Sequence, residues 1–537
     1  MLVGRDDISV PRNNPADPVI LRDADNPPPS YEEVIIAIKR LRNNRSAGPD
    51  CIPSELLKTG EPQLIDAIHN ILIEIWDTEK IPIEWEEGSI CPIFKKGDQL
   101  ECRNYRGITL LNTAYKIFSN ILLTRLQPFA DKAVGNYQCG FRPQRSTIDQ
   151  IHTLRQILEK TKEYNIKTFH LFIDFKAAYD SIERDKLLEA MNEFGIPTKL
   201  VSLTRATINN VRCRIKIQSH LSEPFITERG LRQGDSLACL LFNLALEKCI
   251  RDSGLNRRGT LWGRSLQLLA YADDIDIIGR SERAVKEAFQ ALEASAINMG
   301  LSINEDKTKF MEVSNSTVNY SAPLRINGHS FEKVKEFKYL GTIINDKNIL
   351  RAEIGNRIKM ANKCFFGLKR QLRSNLINRK TKLKLYKTLI LPVLLYGSET
   401  WTLNQDIQRP LETFERKILR TIFGAIQEKG CWRTRYNFEL YRLYKQPQIT
   451  QVIRSNRLRW LGHIWRGPEE SPVRTATFKN PEGSRSRGRP PTRWLNDTEK
   501  DLKVLKIMNW KRVAMDRGSW RRRAVEAAKA CKGLLRS

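Results

Sequence analysis

At 537 residues the chain is too long for one hydrophobic core and should divide into roughly three or four domains. Its 41% hydrophobic and 28% charged residues are the balance of a folded protein, which excludes a purely disordered chain. Lys and Arg number 90 against 61 Asp and Glu, and a formal charge of +29 points to a polyanion, most often nucleic acid, because each neutralised phosphate releases counterions.

In chain order, residues 1–30 are polar and Pro-rich and read as a linker or a truncated edge, with no apolar core for a secretory signal. A helix starts at Ser30, where Glu33 three residues on completes a capping box and Val34, Ile38 and Leu41 share one face. The segment 44–50 breaks it. Residues 63–76 form a second helix, 89–95 a strand closed by a turn at 96–98, and 111–126 a further helix. Strand and helix then alternate: a strand over 168–175, a helix through Leu187, Leu188, Met191 and Phe194 that stops at Gly195, and two strands within 266–279 separated by Ala272, Asp273 and Asp274. A helix over 285–299 ends at Gly300. Apolar residues at Ile354, Ile358, Ala361, Phe365, Leu368 and Leu372 mark another helix, and 410–423 a second one, with Pro410 at its start and Gly424 after its end.

From Gln405 onward lie 31 Lys and Arg against 13 Asp and Glu, a surplus of 18 in the last quarter. Seven of the ten tryptophans fall from Trp401 onward, and aromatics among cations suit stacking on unpaired bases, although each could instead fill a helical core. The longest apolar stretches, 236–246 and 388–396, are about half the length of a membrane span, and an acidic-lipid partner would need a basic amphipathic anchor that is not evident. Ten cysteines form no CxxC pair, and six histidines add no zinc-like cluster. Buried thiols and an intracellular location, nuclear or cytoplasmic, are expected, and the clusters 485–489 and 521–523 suit either nuclear signals or nucleic-acid contacts.

The sharpest chemical feature is LAYADDI, where Asp273 and Asp274 stand side by side between two apolar runs. Adjacent carboxylates repel and resist ionising unless a cation lies between them. Asp174 ends the run HLFID in a similar setting. Hard oxygen ligands from separate strand ends are what magnesium requires, and two such ions roughly 4 Å apart can activate a hydroxyl and stabilise a leaving phosphate.

FIDFKAAYDSI, GLRQGDSLACLLFN, LLAYADDIDIIG, GLSINEDKTKFM and FKYLGTII, in that order, resemble the palm motifs of reverse transcriptases. NNRSAGPDCIPSELLK, CPIFKKGD, CRNYRGITLLNTAYKIFSNIL and QCGFRPQRSTIDQI resemble the finger motifs of the non-LTR (LINE-type) retrotransposon branch, and RQGDSLACLLFN is most similar to RTE-like elements. The resemblance covers roughly residues 30–400 and continues more weakly into RWLGH and GRPPTRW.

That resemblance implies an α+β right-hand polymerase: fingers over 31–165, a palm with a mainly antiparallel sheet over 166–345, a helical thumb over 346–425 and a basic, helical, nucleic-acid-binding region over 426–537. It implies an RNA-directed DNA polymerase that uses an RNA template, a DNA primer or target, deoxynucleoside triphosphates and two Mg²⁺ (Mn²⁺ is an alternative). Asp174, Asp273 and Asp274 match the metal ligands, and Lys307 a proton donor to departing pyrophosphate. Phe175, Ala178 and Tyr179 match the nucleotide site, with Tyr179 as the steric gate against a 2′-hydroxyl. Gln233 and Gly234 match a template and nucleotide contact. Lys95 and Arg106 are the finger candidates for the triphosphate, while Tyr339, Leu340 and Gly341 match the primer grip. Arg485, Arg487, Arg489, Arg493 and Trp494 are the candidates for nucleic-acid contact in the tail.

Full-length elements of this family carry an endonuclease before the polymerase, and about 30 residues ahead of the first helix are too few for one, so the chain reads as a fragment or a truncated copy. No carboxylate set suggests an RNase H, and Cys431 and His463 are isolated rather than part of a zinc knuckle. A decayed copy serving as an RNA-binding scaffold is the alternative from another class, and an intron maturase is a third that the tail fits poorly.

Overall fold

The computed structural model describes residues 26–255, 266–316, 318–486, 488 and 492–531. Most of the expected amino-terminal linker, together with Arg487 and Arg489, lies outside the described residues. The chain divides into two compact units that interleave in sequence. One comprises Met1–Gly135, Lys176–Asp252 and Ala294–Ser302. The other comprises Asn136–Phe175, Ser253–Glu293 and Ile303–Ser537.

In the first unit the helix Tyr31–Arg40 begins as its sequence requires. The Ser30 hydroxyl accepts the Glu33 N–H at 3.2 Å, and the Glu33 carboxylate accepts the Ser30 N–H at 2.9 Å, so two otherwise orphaned donors are satisfied. The strand Glu87–Phe94 is central to a small sheet, antiparallel to Tyr105–Leu110 and parallel to Arg212–Ile217. Helix Thr113–Ala133 runs past the expected stop and through Pro128. Leu126 and Ala130 are buried on either side of the proline, and that burial outweighs the lost backbone hydrogen bond.

The second unit is built on a six-stranded sheet in the order Leu324–Ile326, His329–Lys333, Lys309–Val313, Thr168–Ile173, Asp274–Gly279, Leu266–Tyr271. All neighbours are antiparallel except His329–Lys333 beside Lys309–Val313. The mixed architecture and mainly antiparallel sheet are those expected. Thr168–Ile173 is buried along its whole length, which explains why its sequence is a continuous apolar run without alternation.

Two long helices follow in this unit, Arg351–Arg373 and Gln405–Phe423, packed on one another around Phe365, Leu372, Leu411 and Ile418. The second starts five residues earlier than expected. Asn404 caps it by accepting the Ile407 N–H at 3.0 Å, which leaves Pro410 inside the helix rather than at its start. Beyond it the chain is helical through Ile449–Arg466, Trp494–Val504 and shorter pieces to Ala530. Trp460, Trp494, Trp510 and Trp520 fill the core there, and Trp401 is wholly buried in the preceding one.

That burial corrects the expected role of Trp494, which is 1% exposed and presents no face to a base. Its indole N–H donates to the Glu399 carbonyl at 2.8 Å, and its backbone N–H donates to Glu159 at 2.9 Å. Arg485 and Arg493 both pair with Glu163, so these two cations hold the tail against the helix Thr147–Glu163. The cysteines are free thiols, and the expected burial holds for Cys139, Cys213 and Cys249 but not for Cys51, Cys102 and Cys431, which are exposed. Among the described residues no helix is long and apolar enough to cross a membrane.

Candidate active site

The strands Leu266–Tyr271 and Asp274–Gly279 form a hairpin in which Tyr271 pairs with Asp274, leaving Ala272 and Asp273 as its two-residue turn. Asp174 directly follows the adjacent strand Thr168–Ile173, so three carboxylates from two strand ends share one end of the sheet. The Asp174 carbonyl accepts the Asn304 N–H at 2.8 Å, and its own N–H donates to Thr308 Oγ1 at 3.3 Å. These bonds tie it to the loop that delivers Lys307, whose ammonium lies 3.0 Å from Asp174 Oδ2.

Asp274 reports the charge density of this corner. Removal of water from around its carboxyl is the largest push, the charges of Asp273 and Asp174 add to it, and Lys307 opposes, leaving the pKa raised to about 7. Two residues on, the wholly buried Asp276 pairs instead with His170 Nδ1 at 3.3 Å, inside the sheet. Among the described residues no three His, Cys, Asp or Glu side chains already form a closed metal cage. The donor set nonetheless suits a hard divalent cation: all oxygen, mutually repelling, and offset by Lys307.

The candidates for nucleotide contact gather in the first unit. Tyr179 stacks on Phe242 with ring centroids 4.6 Å apart, and Ala178 is buried beside it in sequence. Gln233 Nε2 donates to both carboxylate oxygens of Asp180, at 2.8 and 3.0 Å. Burial raises the Asp180 pKa, while Gln233, Lys95 and Arg106 pull it down, which places both cations within electrostatic reach of this carboxylate. Gly234 has φ +125°, and a Cβ there would lie 2.6 Å from the Thr109 carbonyl oxygen, so only glycine fits. Phe175 belongs to the second unit, is buried and bridges to Ile303.

Tyr339, Leu340 and Gly341 close the hairpin of Glu336–Tyr339 and Thr342–Asn345 in the second unit. The Leu340 carbonyl accepts the Tyr396 hydroxyl at 2.8 Å, and the Gly341 carbonyl accepts from Arg357. Tyr339 itself is buried, so these two contacts and its own packing fix the turn.

Residues 93–344 match the family model described as reverse transcriptase (RNA-dependent DNA polymerase). They form a reverse transcriptase domain. Among curated relatives, the probable RNA-directed DNA polymerase from transposon BS of Drosophila melanogaster is 26% identical over 70% of this chain and 42% of its own length. That of the X-element is 26% identical over 88% of this chain and 50% of its own, and that of the mobile element jockey 23% over 74% and 44%, both from the same fly. The chain therefore spans about half the length of these relatives or less. They bear out the likeness to retrotransposon polymerases of the non-LTR branch. Among solved structures, apo telomerase from Candida tropicalis aligns over 76% of this chain and 68% of its own, at 14% identity and a TM-score of 0.41.

Two residues that hold the Ala272–Asp273 turn of this reverse transcriptase domain escaped the sequence reading, although they lie in the quoted QCGFRPQRSTIDQI. Ala272 has φ +53°, a conformation that side-chain-bearing residues seldom adopt. The buried Gln138 amide grips it: Oε1 accepts the N–H of Gly140 at 2.7 Å and of Ala272 at 2.8 Å, and Nε2 donates to the Ala272 carbonyl at 3.2 Å. Gln150, also buried, donates to the carbonyls of Tyr137 at 2.6 Å and Ala270 at 2.8 Å. Gly140 permits this approach, since a Cβ there would lie 2.2 Å from the Ala272 nitrogen. The available signal was chemical: amides in an apolar setting must find buried partners.

Proposed function

We propose that the chain is an RNA-directed DNA polymerase that extends a primer 3′-hydroxyl with deoxynucleotides on an RNA template. The observation that carries this reading is the gathering of Asp174, Asp273 and Asp274 at one sheet end with Lys307 against them. Asp174, Asp273 and Asp274 would hold divalent cations, Mg²⁺ by their oxygen chemistry, in the number of two. Such ions, when bound, activate the attacking hydroxyl and offset charge on the phosphates.

The other roles fall to residues already described. Lys95 and Arg106, near Asp180, would meet the triphosphate, and Lys307 would give a proton to departing pyrophosphate. Tyr179, backed by Phe242, would exclude a 2′-hydroxyl by shape. Gln233 and Gly234 would support the template and nucleotide, and the Leu340–Gly341 turn the primer. In this reading residues 31–165 are fingers, 166–345 palm, 346–425 thumb and 426–537 a nucleic-acid-binding region, working in nucleus or cytoplasm. Primer extension on an RNA template with Mg²⁺ tests it. Asp273→Asn should lower the rate by about a thousand-fold, on the order of a lost charge-stabilising group at a reaction centre, while RNA binding persists. Equal rates in the variant and the wild type would overturn the reading.

A further inference from the structure

Trp432 differs from its tryptophan neighbours. Trp401, Trp460, Trp494, Trp510 and Trp520 are buried, and Trp465 packs on Phe478 and Trp510, but Trp432 is 71% exposed. It stands on the short hairpin of Ile426–Glu428 and Cys431–Arg433, directly across from Gln427. Tyr436 and Phe438 follow it, 58% and 67% exposed, with their rings 11° from parallel and centroids 6.0 Å apart. Three large aromatic side chains within seven residues thus face water, although burial would stabilise each of them.

The platform is held rigid from below. The Arg433 guanidinium lies 4.4 Å over the Tyr436 ring and is fixed by Glu428 and by Glu439, the latter at 2.8 Å. The Glu439 carboxylate also accepts the Tyr436 N–H at 2.7 Å, and Leu440 and Tyr444 of the helix that follows are buried in the core. These contacts order Tyr436 and its stacked partner Phe438 before any ligand arrives, beside the exposed Trp432.

Charge names the ligand. Residues 420–445 contain six Lys or Arg (Arg420, Lys429, Arg433, Arg435, Arg442, Lys445) and only two acids, Glu428 and Glu439. Arg433 forms ion pairs with both acids, while Arg420 donates to Asn437 and Arg435 to the Gly424 and Ala425 carbonyls, leaving a net surplus of positive charge on the segment. Cations beside exposed, sequence-tolerant ring faces match phosphates beside unpaired bases. The bordering side chains Gln427, Thr434 and Asn437 are polar, and the surplus of cations favours a phosphate-bearing partner.

We propose that the 426–438 hairpin is a stacking platform for single-stranded nucleic acid, separate from the carboxylate site. The choice of ligand rests on the polymerase reading, but the binding measurement does not depend on catalysis. Fluorescence anisotropy with the full chain would compare a 20-nucleotide single-stranded RNA, the same DNA and the corresponding duplex. Trp432→Ala should weaken single-strand binding about ten-fold, as loss of one stacked base does, and leave duplex affinity unchanged. Trp432→Phe should restore most of that loss, and the salt slope of Trp432→Ala should equal that of the wild type because the cations remain. The RNA and DNA arms tell whether template or displaced strand is the occupant. Single-strand affinity within two-fold of wild type in both Trp432→Ala and the triple variant Trp432→Ala/Tyr436→Ala/Phe438→Ala overturns the proposal. So does a change of molar mass in light scattering with RNA affinity intact, which would assign the surface to a protein partner. Absence of primer extension in the wild type would defeat the polymerase reading and leave this comparison standing.

Discussion

Ala272 carries the backbone geometry on which Asp273 and Asp274 depend. A left-handed φ at a non-glycine costs about 1–3 kcal/mol, and the three hydrogen bonds of Gln138 supply the compensating restraint. Gln138→Met keeps the volume and removes all three, so extension should fall about ten-fold or more while the Mg²⁺ concentration for half-maximal rate rises. Gln138→Glu, which retains the two accepting contacts, should lie between. A magnesium titration of primer extension reads both, and a fold-only role would change the melting temperature without moving the metal midpoint. Tyr179 makes a second residue-scale prediction. With its ring resting on Phe242, Tyr179→Ala opens the space under the sugar, so ribonucleotide incorporation should rise while deoxynucleotide extension continues. Competition between the two triphosphates in one extension reaction measures it, and unchanged selection would remove the gate role.

At the scale of elements, the long helices after the sheet show how burial overrides local signals. Pro410 reads as a helix start, yet Asn404 caps the helix earlier. Within that helix Glu415 is buried, and although it accepts from Ile449 N–H, Tyr441 and Tyr386, desolvation dominates and raises its pKa to about 7. A carboxyl raised from 4.5 to about 7 binds a proton more tightly when folded. Its stabilising contribution is therefore full below about pH 4.5 and is lost as pH climbs through 7. Glu415→Gln should leave the melting temperature unchanged near pH 4 and raise it by a few degrees at pH 8, an effect of at most about 3 kcal/mol. Thermal melts of the two proteins across that range check the sign, and parallel curves would contradict it.

Across the whole molecule, the tail is less separable than its composition suggests. In the second unit, Lys160 Nζ donates to the Thr477 carbonyl at 3.0 Å, His152 Nε2 meets Thr477 Oγ1 at 3.1 Å, and Ile449 and Ile453 share the core of the preceding helices. Removing everything after Gln427 should therefore do more than weaken template binding. It should expose that core and give aggregated protein with lost near-ultraviolet circular dichroism. A soluble, cooperatively melting truncation would show instead that the tail is an appendage.

What the amino-acid order determined alone was local or ordered along the chain. The Ser30–Glu33 cap, the helix periods, the apolar strand Thr168–Ile173 and the sequence of motifs from FIDF to YLG all follow from neighbours within a few residues. Asp174, Asp273 and Asp274 were legible because carboxylates at the ends of apolar runs are costly wherever they fall. Tertiary structure decided what depends on partners far away in sequence. It turned Trp494 and four other tryptophans into core and left Trp432 outside. It tied Arg485 and Arg493 to Glu163, and set Gln138, 134 residues distant, onto Ala272. Burial and amide geometry are properties of the assembled chain, and no local pattern encodes which distant backbone group a glutamine will meet.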